Sequence, residues 1–182
     1  GGEPAGMSSS TRGIYGTGGI AASPGETNII SFLTIASTGN TSDFGDATVA
    51  RFSASGLSST TRGIMAGGGT PTKQNTIDFI EIASTGNATD FGDVGTAKTG
   101  AFSCASSTIG LIAGGAGGSS LAVVEKINIA SQGNGLDFGD LVAVGNKGIG
   151  TSNSLKAIFA GGNPASDVIQ ETRFYTGGNT TD

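Results

Sequence analysis

Three acidic turns form the one polar constellation that the chain repeats: Asn40, Asp43 and Asp46, then Asn87, Asp90 and Asp93, then Asn134, Asp137 and Asp140. Carboxylate and amide oxygens at this density are the ligands that Ca²⁺ takes, so Asp43, Asp46, Asp90, Asp93, Asp137 and Asp140 are candidate metal residues. A calcium cage needs roughly 6–8 oxygens, and a single turn offers few. Asn and Asp also cap turns by accepting hydrogen bonds from nearby backbone N–H groups. That capping role is the expectation here, with no metal and no cofactor.

Catalysis has little to work with. The chain has no His, which excludes Ser-His triads, His acid–base chemistry and His-ligated metals. The single cysteine, Cys104, aligns with Leu57 and Met7 and reads as a small buried hydrophobe. Runs such as Gly114-Gly115-Ala116-Gly117-Gly118 are not phosphate loops, because no Gly-Lys-Ser/Thr and no helix follow. Arg12 and Arg62 recur before a Gly-Ile pair and read as solvated strand-end charges. Three glycosylation sequons begin at Asn40, Asn87 and Asn179, but the repeated wording is sufficient to produce them. The expectation is a protein that is not an enzyme.

Bulk composition narrows the class further. A chain of 182 residues suffices for one domain, 1–182, with a real core. A net charge of −5 with only 9 basic residues argues against nucleic acid, which needs a basic face. No apolar run approaches the roughly 18 residues of a membrane span, so no membrane insertion is expected. One cysteine leaves the redox compartment open. The start, Gly1-Gly2-Glu3-Pro4, has neither Met nor a signal-peptide pattern and reads as a processed product or a fragment.

The acidic turns sit at fixed places in an internal repeat. Asp-Phe-Gly-Asp stands at 43–46, 90–93 and 137–140, a constant spacing of 47 residues. Four copies run approximately over 12–61, 62–108, 109–155 and 156–182, with 1–11 leading in. A period of about 40–50 residues belongs to propellers and solenoids.

Each copy reads as β structure. In the second, Ile64-Met65-Ala66 ends in Gly67-Gly68-Gly69, and Ile77 and Phe79 flank Asp78. That alternation has period 2, and its phase slips between Phe79 and Ile80, which suggests a bulge there. Thr85-Gly86-Asn87 is a turn signal. Glycine, at 34 residues, is too frequent for long helices. Four short strands per copy make one blade of an all-β propeller.

Three aligned sets are expected to pack between blades: Ile30, Ile77, Val124 and Ile169; Ile35, Ile82, Ile129 and Phe174; and Phe44, Phe91 and Phe138. The Gly-Gly pairs at 18–19, 67–68, 114–115 and 161–162 suit strand ends where backbones crowd. Length varies between the strand ending in these pairs and the next, which places a variable loop on one face of the disc. The last copy stops short of a final strand. Either the N-terminal residues lie against that blade and close a four-bladed ring, or the chain is a segment of a larger one.

The Gly-Gly pair, the spacer and the following apolar strand resemble the kelch repeat in all four copies. The family's tryptophan is absent, and Phe44, Phe91 and Phe138 stand in a place it could take. Ile-Ala-Ser-Thr-Gly-Asn followed by Asp-Phe-Gly-Asp is similar to the kelch-like repeats of virion structural proteins of marine bacteriophages. The resemblance implies a non-enzymatic module in the virion, such as an appendage, fibre or decoration protein. Its partners would be other virion proteins or a host-surface glycan, and a homo-oligomer fits the same picture. The alternative is a cellular kelch-type interaction scaffold. Copper oxidases of related fold need His ligands and are excluded here.

Overall fold

The computed structural model describes residues 3–19 and 25–182. It contains no helix among them, as the glycine content requires. The strands form a four-blade β-propeller. Blade one is β1 (Ala5–Ser8), β2 (Arg12–Gly19), β3 (Glu26–Thr34) and β4 (Ser42–Asp46). Blade two is β5 (Ser55–Ser58), β6 (Arg62–Ala66), β9 (Thr76–Glu81) and β10 (Thr89–Asp93), with a small hairpin of β7 (Gly69–Thr70) and β8 (Thr72–Lys73) between its middle strands. Blade three is β11 (Phe102–Ala105), β12 (Ile109–Ala113), β13 (Val123–Asn128) and β14 (Leu136–Asp140). Blade four is β15 (Ile149–Ser152), β16 (Lys156–Ala160) and β17 (Ile169–Arg173), and a lone bridge from Glu171 to Thr181 takes the outermost place. Each blade therefore starts one strand ahead of the copies drawn on the sequence. All pairings within blades are antiparallel, as short connections dictate.

Successive blades stack face to face, so a blade that lies between two others is buried on both faces. Three apolar clusters fill the three junctions. Ile14, Ile30 and Phe44 of blade one meet Met65, Ile80 and Ile82 of blade two. Ile64, Ile77 and Phe91 of blade two meet Ile112, Ile127 and Ile129 of blade three. Leu111, Val124 and Phe138 of blade three meet Ala157, Phe159 and Phe174 of blade four. Each large side chain buried this way is worth about 1.5–3 kcal/mol. Two residues of the aligned sets depart from the expected burial: Ile35 in blade one and Ile169 in blade four are exposed. They lie on the two faces that no other blade covers.

Burial on both faces corrects the bulge expected between Phe79 and Ile80. The β6–β9 register runs unbroken through both residues. Ile77 and Phe79 point to blade three, while Asp78 and Ile80 point to blade one, so the pattern is two superposed stripes. The register shift falls instead on the outer strand, between Asp90 and Gly92, and recurs in blades one and three. There Gly45, Gly92 and Gly139 adopt φ of 142–147° and press against the turn of the following blade at Gly86, Gly133 and Gly178.

The Gly-Gly pairs of copies two to four follow strand ends, and Gly67, Gly114 and Gly161 are left-handed with φ of 61–69°; backbone crowds Gly67 and Gly114, as expected, but among the described residues nothing crowds Gly161. In copy one the equivalent residue is Thr17, at φ 59°, and not Gly18. The expected variable loop of copy one falls largely on residues 20–24, outside the described residues. So do Gly1 and Gly2.

The N-terminal segment does not complete blade four. Gly6 pairs with Tyr15 inside blade one. The four inner strands β1, β5, β11 and β15 line a common axial cavity of 360 Å³. At one end of it, equivalent positions hold hands: Ser53 N–H donates to Glu3 O (3.1 Å), Gly100 N–H to Ser53 O (2.8 Å) and Lys147 N–H to Gly100 O (2.7 Å). The fourth side is spanned by side chains, Lys147 Nζ to Glu3 Oε1 at 3.0 Å.

Candidate functional site

The acidic turns act across blades. Asn87 Oδ1 accepts from Asp46 N–H (3.1 Å), Asn134 Oδ1 from Asp93 N–H (3.0 Å) and Asn179 Oδ1 from Asp140 N–H (3.0 Å). Backbone bonds flank each clasp, such as Gly86 N–H to Phe44 O and Ala88 N–H to Asp46 O, both 2.7 Å. The turn of one blade thus covers the outer strand of the blade before it, which hides a backbone edge that would otherwise invite pairing. Asn40, Asp43 and Asp46 are therefore not one cage: the Asn partners of Asp46 and Asp93 come from the next copy. Asp43, Asp90, Asp93, Asp137 and Asp140 are exposed and Asp46 half-buried. Among the described residues no three acidic or cysteine side chains lie together as a metal site would require.

Arg12 and Arg62 are not solvated charges. Arg12 lies over the Phe32 ring at 4.7 Å and donates from Nη1 to Ile82 O of the next blade (2.7 Å). Arg62 repeats this over Phe79 at 4.7 Å, donating to Ile129 O (3.1 Å) and Ala130 O (2.9 Å) while Nε meets Glu81 (2.7 Å). A guanidinium stacks on a ring while its edge N–H groups stay free to donate, which suits it to this joint. In copy three Ile109 and Lys126 stand in place of Arg and Phe. A cavity of 560 Å³ opens beside them, lined also by Ile127, Asn128, Gln132 and Leu136.

Two buried ion pairs escaped the sequence reading. Arg51, in the loop entering blade two, bonds Asp78 Oδ2 of that blade at 2.9 Å, both side chains wholly buried. Thr48 Oγ1 donates to the other Asp78 oxygen at 2.5 Å. Burial pulls the Arg51 guanidinium below its ordinary pKa, while Asp78 opposes that shift. One junction on, Lys98 Nζ meets Glu125 Oε2 at 2.5 Å, and Gly95 N–H donates to Oε1. At the third junction Gln170 replaces the acid, accepting from Ala143 N–H and donating to Ala143 O, both 3.0 Å. These residues lie at the junctions and tie one blade to the next.

Cys104 is buried between blades three and four, and burial pushes its thiol up to about 12. A thiol so held is not a nucleophile at neutral pH.

The broad concave surface lies at the other end of the axis. The turns joining the first and second strand of each blade converge there on a polar mouth of 420 Å³. Each turn is set by one side chain. Ser9 Oγ accepts from Thr11 and Arg12 N–H, Ser59 Oγ from Thr61 and Arg62, Ser106 Oγ from Thr108 and Ile109, and Asn153 Oδ1 from Leu155 and Lys156. Ser and Asn favour such local turns over continuing a strand. Their neighbours Ser10, Thr60, Ser107 and Ser154 line the mouth with hydroxyls and bring no charge. Sequence reasoning missed this ring, although Met7-Ser8-Ser9-Ser10 and Leu57-Ser58-Ser59-Thr60 match in type and spacing and could have signalled it.

No protein-family model matches the chain, and no curated protein does.

Proposed function

We propose that the protein is a non-enzymatic binding module that presents its axial mouth to a polar, uncharged partner. The observation that carries the reading is the ring of hydroxyl-bearing turns, repeated on all four blades around one concavity. Ser, Thr and Asn supply adaptable hydrogen bonds, which fit the hydroxyls of a glycan or the polar loop of a protein. A rigid scaffold that holds short turns at one end of a disc is a common way to build such a surface.

The repeat wording, similar to that of kelch-like virion proteins of marine phages, supports reading the module as a virion appendage, fibre or decoration protein. Its partner is then a neighbouring virion protein or a host-surface glycan. Probing a glycan array and purified virion proteins tests this, with Thr60→Arg and Ser107→Arg as variants of the mouth. The reading expects binding that both variants abolish. Binding that survives both would move the site elsewhere on the molecule.

A further inference from the structure

Every blade has a front face, which receives the preceding blade, and a back face, which meets the following one. The front face of blade one is uncovered. Ile35 is 53% exposed, whereas its equivalents Ile82, Ile129 and Phe174 are 2%, 1% and 1% exposed. Tyr15 and Leu33 beside it are exposed as well, where Met65 with Ile80 and Ile112 with Ile127 are buried. The back face of blade four is uncovered in the same way. Ile169 is 61% exposed against 0% for Ile30, Ile77 and Val124, and Ile149 is exposed where Phe102 is buried. A methyl added at Gly6 would touch nothing, while one at Gly56 or Gly150 would strike the strand of the preceding blade.

The two bare faces are the halves of a junction that the chain builds three times internally. Within one molecule they do not meet, and among the described residues the half-exposed Lys147–Glu3 pair is the one ion pair that spans the gap between them. Both are present on every chain in equal number. We propose that they are docking surfaces for a second copy of this chain, the back of blade four on one copy seating against the front of blade one on the other. Such a contact is heterologous, and it closes if the rotation allows. The Lys147–Glu3 tie must release for this, and an exposed ion pair is weak enough to do so.

Sedimentation across a wide concentration range tests the proposal on the whole chain. The expected result is a species of twice the 17.7 kDa chain mass that grows with concentration. Ile35→Asp and Ile169→Asp alter exposed side chains and leave the fold intact; each should weaken association at least tenfold, on the order expected for charge in an apolar contact. An equimolar mixture of the two variants should regain pairs, because one retains an intact back face and the other an intact front face. Association that neither substitution weakens, or that the mixture does not regain, overturns the proposal. A monomer at all concentrations also overturns it.

Discussion

The junction between blades one and two and the gap between blades four and one use equivalent positions to opposite effect. At the first, Met65, Ile80 and Ile82 of the front face are sealed under Ile14, Ile30 and Phe44, with Arg51–Asp78 buried at the rim. At the second, Tyr15, Leu33 and Ile35 face solvent, and Ser31 occupies the place of Asp78. The same strand pairing thus serves a core in one place and a surface in the other. A blade is not stable through its sheet alone: an isolated antiparallel sheet needs a covered face, and here each cover is the next blade.

The largest effect that separates the two regions is expected at Asp78. Asp78→Ala leaves Arg51 buried without its counter-charge, in a site where its Nε and Nη1 already have no partner among the described residues. Loss of one member of a buried pair costs about 3–5 kcal/mol. Ser31→Ala, at the equivalent position on the bare face, should fall within about 0.5 kcal/mol of the parent. Urea unfolding of both variants gives the comparison. Equal costs would mean that the charged rim does not hold the junction. Replacing Arg51 and Asp78 together by Met and Leu should recover most of the loss, since a buried pair is often no better than an apolar one.

Next in size is the matched pair Ile82→Ala and Ile35→Ala. The former opens a cavity in a packed junction and should cost about 2–5 kcal/mol. The latter removes a half-exposed side chain and should cost under about 1 kcal/mol, measured at a concentration too low for chains to associate. Ile82 and Ile35 are indistinguishable by type and by their place in the repeat, so the difference would belong to the neighbouring blade alone.

That pair also marks the limit of what sequence carries. The 47-residue spacing, the Gly-Gly strand ends and the period-2 strands were enough for the blade, its strand number and most of its buried side chains. They were not enough to separate Ile35 and Ile169 from their buried equivalents, because a repeat alignment treats every copy as interior. The ion pairs were legible in principle. Arg51 and Asp78 are separated by the same 27 residues as Lys98 and Glu125, and at the third junction, where copy four is two residues shorter, Gly145 and Gln170 replace both members together. Paired change at equivalent repeat positions signals contact, but basic residues in loops and acids in strands read separately as surface. The acidic turns misled in the opposite sense: proximity in sequence suggested a cage, while the Asn of one turn serves the Asp of another blade.

A smaller effect, of opposite sign, is expected at Thr17. It holds φ 59° where copies two to four place glycine, and its buried hydroxyl has no hydrogen-bond partner among the described residues. The left-handed conformation costs a non-glycine residue roughly 1–2 kcal/mol, and an unpaired buried hydroxyl adds to that. Glycine's greater freedom in the unfolded chain offsets part of the gain. Thr17→Gly should therefore stabilise by about 1 kcal/mol and raise the midpoint of thermal unfolding. A lowered midpoint would mean that the methyl group of Thr17 packs more than its backbone strains.

The smallest effect tests the gap itself. Hydrogen bonds from Ser53 and then from Lys147 hold the Glu3 carboxyl below its ordinary pKa. A depressed carboxylate pKa means that the ionised form is favoured by folding. The stabilisation is therefore present above the unfolded value near 4.5 and is lost as pH falls through the lower folded value. Half-exposed and screened, this tie is worth about 0–1 kcal/mol. Glu3→Gln should lower the thermal midpoint slightly at pH 7, and the deficit relative to the parent should shrink as pH drops below the ordinary carboxylate range. High salt should shrink it too, since exposed charges are screened. A deficit that persists unchanged in acid would assign the role of Glu3 to its backbone carbonyl, which accepts from Ser53 N–H. The gap would then be held by the axial hydrogen bonds alone, with the Lys147 side chain a bystander.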